Sequence, residues 1–282
     1  LNNVVGEAIS ITSVETTLNA GNTGPIVDAL GANVGSYDVQ LTLNQATNAV
    51  ATDVQTLSLT GDNDFDVSIN DNGADQIEEL TLNITGAGDH GIDLSDDFEN
   101  TLTIAGAGTG ELTIINVQAN TVNTTAHTGN VWVDIDEDSV HTITTGAGND
   151  VLDLLDDTVA TTDALDLGNG TDRIIVDTTL GDYATANSSD DEVFEGFVSI
   201  EEVELRGDAD LVMNEDGFAT GVTRVIVDAS STTESGIRLG TDFDRALRVD
   251  VEADANMDME NDANVDLDVR VAAGADANTT VV

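Results

Sequence analysis

Apolar and polar residues alternate one by one along most of this chain. Ile77-Glu78-Glu79-Leu80-Thr81-Leu82, Val131-Trp132-Val133-Asp134-Ile135 and Ile200-Glu201-Glu202-Val203-Glu204-Leu205 are clear examples. Period-two alternation enriched in Val, Ile and Thr predicts half-buried strands. No stretch carries a 3.6-residue apolar stripe longer than two turns. Between the strands lie short Gly/Asp/Asn turns, marked by Gly61, Gly86, Gly106, Ala126, Gly146, Gly168, Gly207, Ala229, Ala253 and Ala273. Their successive separations are 25, 20, 20, 20, 22, 39, 22, 24 and 20 residues. The 39 is close to two periods, with the intervening turn expected near Asn187.

A period of about 20 residues sustained this long predicts stacked coils. One such coil cannot bury its apolar face alone. Stacking solves this, with strands pairing in parallel from coil to coil at ~4.8 Å. The expected fold is therefore all-β, a parallel β-solenoid with coils of about 20 residues. A two-sheet Greek-key sandwich also needs many short strands, but it predicts neither a fixed period nor a recurring turn. Residues 1–52 fit the period worst. They read as an irregular β cap or junction, with loops at Gly21-Asn22-Thr23-Gly24-Pro25 and Leu30-Gly31-Ala32-Asn33. Residues 53–282 form the repeat region.

Charge sharpens the picture. Of 282 residues, 55 are Asp or Glu and seven are Arg, with no Lys, for a formal net charge of −48. Such a surface repels nucleic acid and anionic membrane, which removes both as partners. Self-repulsion has to be lowered by bound cations, by high salt, or by both. Asp outnumbers Glu by 39 to 16, which places the acids in turns and suits short-armed ligation of a hard cation. Aromatics are only 3%, too few for a sugar-stacking groove. The absence of Cys fits a secreted protein held together without disulfides. The first residue is Leu1 and the last stretch, Ala272 to Val282, is itself alternating, so the sequence reads as a piece of a longer or processed protein.

The candidate chemistry sits in two turns. Thr145-Gly146-Ala147-Gly148-Asn149-Asp150-Val151-Leu152 matches the β-roll repeat G-G-x-G-x-D-x-U at all but its first glycine. Leu167-Gly168-Asn169-Gly170-Thr171-Asp172-Arg173-Ile174 is a weaker copy. Glycines let carbonyl oxygens turn toward a small cation, and the Asp adds a carboxylate. Candidate metal ligands are Gly146, Ala147, Gly148, Asn149 and Asp150 in the first turn, and Asn169, Gly170 and Asp172 in the second. Asp153 and Asp166 are nearby, and Asp62, Asp64, Asp208 and Asp210 are further turn acids. The alternative is that all are solvated turn residues. The run from Asp62 starts like an EF-hand loop, but Val67 and Gly73 replace its required glycine and glutamate.

At these two turns the chain resembles the calcium-binding RTX repeats secreted by Gram-negative bacteria. More specifically it resembles the repeat region of bacterial surface-layer proteins, with Phe197 to Leu205 similar to their recurring strand. The resemblance implies calcium shared between stacked turns, type I secretion, a cell-surface location, and a homo-oligomeric lattice or filament. It also allows attachment to cell-surface polysaccharide through another region. The copies depart from the pattern at Thr145 and Leu167, and Gly86-Ala87-Gly88-Asp89-His90 and Gly106-Ala107-Gly108-Thr109-Gly110 lack the motif aspartate. Those two turns are expected to keep the geometry without the ion.

Other residues point away from catalysis. There is no thiol, no lysine, and no G-x-S-x-G or H-E-x-x-H. His90, His127 and His141 lack the spacing of a zinc site and read as turn substitutes. Trp132 is out of phase with Val131 and Val133 and should face outward. Arg206, Arg224 and Arg248 fall at similar coil positions and should form a ladder against acids. The expected function is an extracellular, non-enzymatic structural protein, a calcium-stabilised segment of a self-assembling surface layer. The alternatives are the stalk of a secreted adhesin or an accessory module of a secreted hydrolase.

Overall fold

The computed structural model describes residues 9–12, 25–27, 33–36, 39–43, 54–60, 65–71, 79–95, 100–135, 141–154, 163–177, 196–207, 209–213, 221–230, 235–240, 243–253, 255, 257–261 and 266–273. Asp62, Asp64, Asp208 and the expected turn near Asn187 lie outside these. The chain is a parallel β-solenoid, all-β with no helix among the described residues. It divides into two compact units, Leu1–Val151 and Leu152–Val282.

The first unit contains β1 (Ile9–Thr12), β2 (Pro25–Val27), β3 (Asn33–Ser36), β4 (Val39–Leu43), β5 (Val54–Thr60), β6 (Phe65–Asp71), β7 (Glu79–Thr85), β8 (His90–Ser95), β9 (Thr101–Ala105), β10 (Leu112–Val117), β11 (Thr121–Asn123), β12 (Val131–Ile135) and β13 (Thr142–Thr144). One parallel sheet runs β1-β5-β7-β9-β11-β13, and the other runs β4-β6-β8-β10-β12. Each coil contributes one strand to each sheet. Leu80 and Leu82 of β7 line up with Leu102 and Ile104 of β9, Ile84 of β7 with Leu59 of β5, and Ile92 and Leu94 of β8 with Val67 and Ile69 of β6. Those of β6, β7, β8 and β9 are at most 1% exposed. Alternation along the strand and identical register between strands thus build continuous aliphatic rows.

Four strands are described within residues 1–52. β1 pairs in parallel with β5, and β4 with β6, so both strands already belong to the solenoid sheets. Between them β2 and β3 pair antiparallel, and of the expected loops at 21–25 and 30–33 only Pro25 and Asn33, the first residues of these two strands, lie among the described residues. Pro25 is tolerated there because it is the first residue of its strand. Trp132 is half-buried while Val131 and Val133 are buried, in line with its predicted outward phase.

The second unit takes in β14 (Val151–Asp153), which straddles the division, then β15 (Ala164–Asp166), β16 (Arg173–Val176), β17 (Phe197–Val198), β18 (Glu202–Leu205), β19 (Leu211–Met213), β20 (Arg224–Val227), β21 (Ser235–Leu239), β22 (Leu247–Val251), β23 (Met257–Asn261) and β24 (Leu267–Val271). Its long sheet is β14-β16-β18-β20-β22-β24, with β15-β17 beside it and a separate β19-β21-β23 sheet. Core rows include Ile174–Val203–Val225–Val249 and Val176–Leu205–Val227–Val251, each at most 2% exposed.

On the opposite face of that sheet, charges interlock. Arg173, Glu202, Arg224 and Arg248 occupy one register column, and Ile175, Glu204, Ile226 and Asp250 occupy the next. Glu202 accepts from Arg173 at 2.9 Å and from Arg224 at 2.9 Å. Asp250 then accepts from Arg224 and Arg248. The expected arginine ladder therefore exists, with one correction. Arg206 lies off the column, two residues beyond Glu204, and Arg173 takes the place it was given.

The ladder has a pH signature. Burial pushes the Asp250 carboxyl up, but hydrogen bonds from Arg224 and Arg248 together with their charges hold it below its ordinary 3.8. A depressed carboxyl stabilises the fold above its unfolded value and loses that contribution as pH falls through the folded one. Asp250→Asn should therefore lower the urea midpoint at pH 7, and the difference from wild type should close as pH falls below the ordinary 3.8 and through the depressed folded value.

Candidate functional site

The glycine turns of the first unit stack into a corner. The pairs His90–Leu112 and Leu112–Val131 place Gly88, Gly110 and Gly129 in one column, and Gly148 packs on Gly129 next. A Cβ on Gly110 would lie 2.0 Å from the Gly88 carbonyl oxygen, and one on Gly129 would lie 2.0 Å from that of Gly110. A Cβ on Gly148 would meet the Gly129 oxygen at 2.5 Å. The backbone of each coil rests on the one before it, so only hydrogen fits. This alignment differs by two residues from the turn wording. Gly86 is matched by Gly108, not Gly106, because the register of β7 and β9 sets Gly106 against Ile84.

The residue after each glycine forms a polar column: Asp89, Glu111, Asn130 and Asn149, all exposed. Their side-chain oxygens clasp the next coil. Asp89 Oδ1 accepts the Glu111 N–H at 2.7 Å, and Asn130 Oδ1 accepts the Asn149 N–H at 2.9 Å. Beyond that column come His90, Leu112, Val131 and Asp150, all buried.

Asp150 thus sits in a column otherwise filled by core residues, and it is fully buried. Its Oδ1 accepts the Val131 N–H at 2.8 Å. In the preceding coils the same position donates to a main-chain carbonyl, His90 to Glu111 and Leu112 to Asn130. Asp150 therefore stands in for a backbone acceptor. The Thr145 hydroxyl and the Gly146 N–H also donate to it. Thr145 occupies the place of the motif's first glycine, and its hydroxyl gives that departure a purpose. Sequence reasoning missed it, although the odd residue was the signal.

Burial pushes the Asp150 carboxyl above its ordinary 3.8, against the opposing pull of those donors and of His127. The folded state then holds the proton more tightly than the unfolded one. Stability should fall as pH rises from about 3.8 through the elevated value and level off above it. This is opposite in sign to Asp250. Asp150→Asn should remove that decline, which urea titrations of both proteins between pH 3 and 7 would read as a pH-dependent difference.

His127 packs in the same corner, with its Nε2–H donating to the Gly110 carbonyl at 2.9 Å. The ring covers Gly108, where a Cβ would come within 2.8 Å of it. His127 fills the space that a glycine leaves, a packing part.

The other expected residues scatter along the chain. Gly146 lies over the His127 carbonyl, and Ala147 is exposed. Asp172, in the second unit, is fully buried. Its N–H donates to Glu201 Oε2 at 2.9 Å, and its carbonyl accepts from Glu201 and Glu202. Asp166 Oδ1 accepts the Gly168 N–H at 3.1 Å, closing its own turn. Asn169 and Gly170 are exposed, and Asp153 is buried. Asp210 Oδ1 accepts the Gly236 N–H at 2.7 Å, the same coil-to-coil clasp as Asp89. Among the described residues no three Asp, Glu or His side chains converge on a common point. No protein-family model matches the chain, and comparison with curated proteins and with solved structures finds no match either.

Proposed function

We propose that this protein is an extracellular structural element, a calcium-stabilised β-solenoid segment of a self-assembling bacterial surface layer. One observation carries the reading: a stack of coils whose corner oxygens already clasp one rung to the next, in a chain of net charge −48. A chain so charged repels itself, and a cation at its corners would relieve strain where the rungs meet.

The donors themselves test how calcium fits. Calcium takes six to eight oxygens. Asp150 and Asp172 fit poorly, because both are buried and Asp150 already receives two N–H groups and a hydroxyl. The exposed corner oxygens fit better. In place of the expectation that the turns at Gly86 and Gly106 hold no ion, Asp89 and Glu111, on successive coils, would hold a partly hydrated ion weakly, with Kd of roughly 10⁻⁴–10⁻³ M, as suits extracellular calcium. The bound ion would offset carboxylate repulsion and favour packing between copies.

The test is circular dichroism and light scattering with and without calcium, with sodium matching the ionic strength. Calcium should raise both the β signal and the particle size, and Asp89→Asn with Glu111→Gln should weaken the response. If matched sodium does the same, the acids serve solvation and the calcium reading falls.

A further inference from the structure

Several asparagines of the first unit are tied down by the main chain around them. The N–H that follows Asn120 donates to the Asn100 carbonyl, and the one that follows Asn123 donates to that of Thr144. The N–H after Asn130 belongs to Val131 and donates to Asp150 Oδ1. Their side chains are engaged as well. Asn123 Oδ1 accepts the Thr125 N–H, and Asn130 Oδ1 accepts the Asn149 N–H. Asn149 is itself followed by Asp150, which is fully buried.

Asn169, in the second unit, is placed differently. It lies in the turn that Asp166 closes by accepting the Gly168 N–H, where Gly168 takes a φ of +82°. The next residue is Gly170, and both Asn169 and Gly170 are exposed. Among the described residues no group accepts the Gly170 N–H. With no Cβ on Gly170, its nitrogen is open to the side chain that precedes it. A bond from that nitrogen to Asn169 Cγ closes a five-membered ring.

We propose that Asn169 is a site of spontaneous self-modification, losing its side-chain amide through this ring. The Gly170 nitrogen attacks Asn169 Cγ and the new C–N bond forms. The bond from Cγ to Nδ2 breaks, and the side-chain nitrogen leaves as ammonia with the proton that Gly170 gives up. Water then opens the cyclic imide at either of its carbonyls. One opening leaves aspartate, and the other leaves isoaspartate, whose main chain runs through the former side-chain carbon. Water is the one co-reactant, and nothing is oxidised or reduced.

Either product is a carboxylate, ionised at neutral pH, so each converted copy gains one negative charge at an exposed turn. The held contacts of that turn lie on either side, Asp166 to Gly168 before it and Asp172 to Glu201 after it. The change therefore falls on the stretch they leave open. This inference goes beyond the proposed function and does not require calcium. The other Asn-Gly pair of the sequence, Asn72-Gly73, lies outside the described residues.

Peptide mapping by mass spectrometry of the folded 282-residue chain, aged at neutral pH without calcium, tests it. The peptide bearing Asn169 should lose its side-chain amide at least tenfold faster than those bearing Asn130 or Asn149, giving both aspartate and isoaspartate. The rate should rise with pH, since the attacking nitrogen has to give up its proton. Gly170→Ala should slow the loss severalfold, because a methyl group there hinders ring closure, whereas direct attack by water would be indifferent to it. Circular dichroism checks that this variant keeps the fold. Unfolding in urea should speed the loss at Asn149 and leave Asn169 nearly unchanged. An Asn169 amide as long-lived as that of Asn149, a native rate tenfold below the rate in urea, or a Gly170→Ala protein that reacts as fast as wild type would each overturn the proposal. Loss of the Asn169 amide in a chain that ignores calcium leaves this inference standing even if the calcium reading fails.

Discussion

Gly129→Val is expected to unfold the glycine corner of the first unit, with a loss of roughly 4 kcal/mol or more. The reason is backbone against backbone. A Cβ there would sit 2.0 Å from the Gly110 carbonyl oxygen and 2.6 Å from that of Thr109, and neither belongs to a side chain that could swing away. Gly110→Val should do the same through the Gly88 carbonyl. Gly207→Ala provides the contrast, because its φ is +61° but the nearest atom to a new Cβ is 3.8 Å away. It should cost only about 1 kcal/mol, the ordinary strain of a left-handed residue. Urea midpoints read the difference, and hydrogen exchange across residues 79–135 should show the loss centred on the corner. A Gly129→Val protein within about 1 kcal/mol of wild type would mean the rungs can part without harm.

The second large effect concerns Glu204. Its carboxylate is 8% exposed and held by Arg173 Nη1 at 2.9 Å and Arg206 Nε at 2.8 Å. Its register neighbours on either side are Ile175 and Ile226, both buried. Arg173→Met combined with Arg206→Met leaves a buried charge between two isoleucines and should cost about 3–5 kcal/mol. Adding Glu204→Leu to that pair should recover most of the loss, because it completes an aliphatic column in place of an unpaired ion. Equilibrium unfolding of the double and triple variants at pH 7 decides the point. If the triple variant is no more stable than the double, the burial of Glu204 has been misjudged.

Both effects depend on features only partly legible in the sequence. Alternation at Leu80-Thr81-Leu82 and Val203-Glu204-Leu205 pointed correctly to strands, and the recurring turns pointed to stacked coils. Phase was harder. Gly106-Ala107-Gly108-Thr109-Gly110 contains two overlapping G-x-G settings, and the wording favours the first because it repeats Gly86-Ala87-Gly88. The fold uses the second, since Leu112 and Ile114 must fall in line with His90 and Ile92. Core rows outrank turn wording, because a slip by one turns every side chain over and a slip by two empties a rung. The arginine column shows the same limit. Arg206 and Arg224 look equivalent by spacing, yet only the register reveals that Arg173 is the true neighbour in line.

The candidate site was legible in place but not in direction. A single sequence shows an aspartate closing a glycine turn, and that pattern fits an outward ligand as well as an inward acceptor. Asp150 proves to face inward because the Val131 N–H donates to its carboxylate, where His90 and Leu112 in the coils before donate to a main-chain carbonyl. The clasp from Asp89 to Glu111 could not be seen either, since their 22-residue separation is hidden among turns spaced at 20.

The coils are of unequal length. Leu112 and Val131 are 19 residues apart, while Arg173 and Glu202, likewise in register, are 29 apart. The surplus in the longer coil falls between Val176 and Phe197, so the ladder on both sides tolerates ten additional residues without losing step. Foreign sequence spliced into that interval would leave the interlocking of Arg173 with Glu202 intact. Evolution has room there to graft new epitopes or enzymes, and a protein engineer has a ready display position, while Gly110, Gly129 and Gly148 of the corner leave no room for even one added carbon.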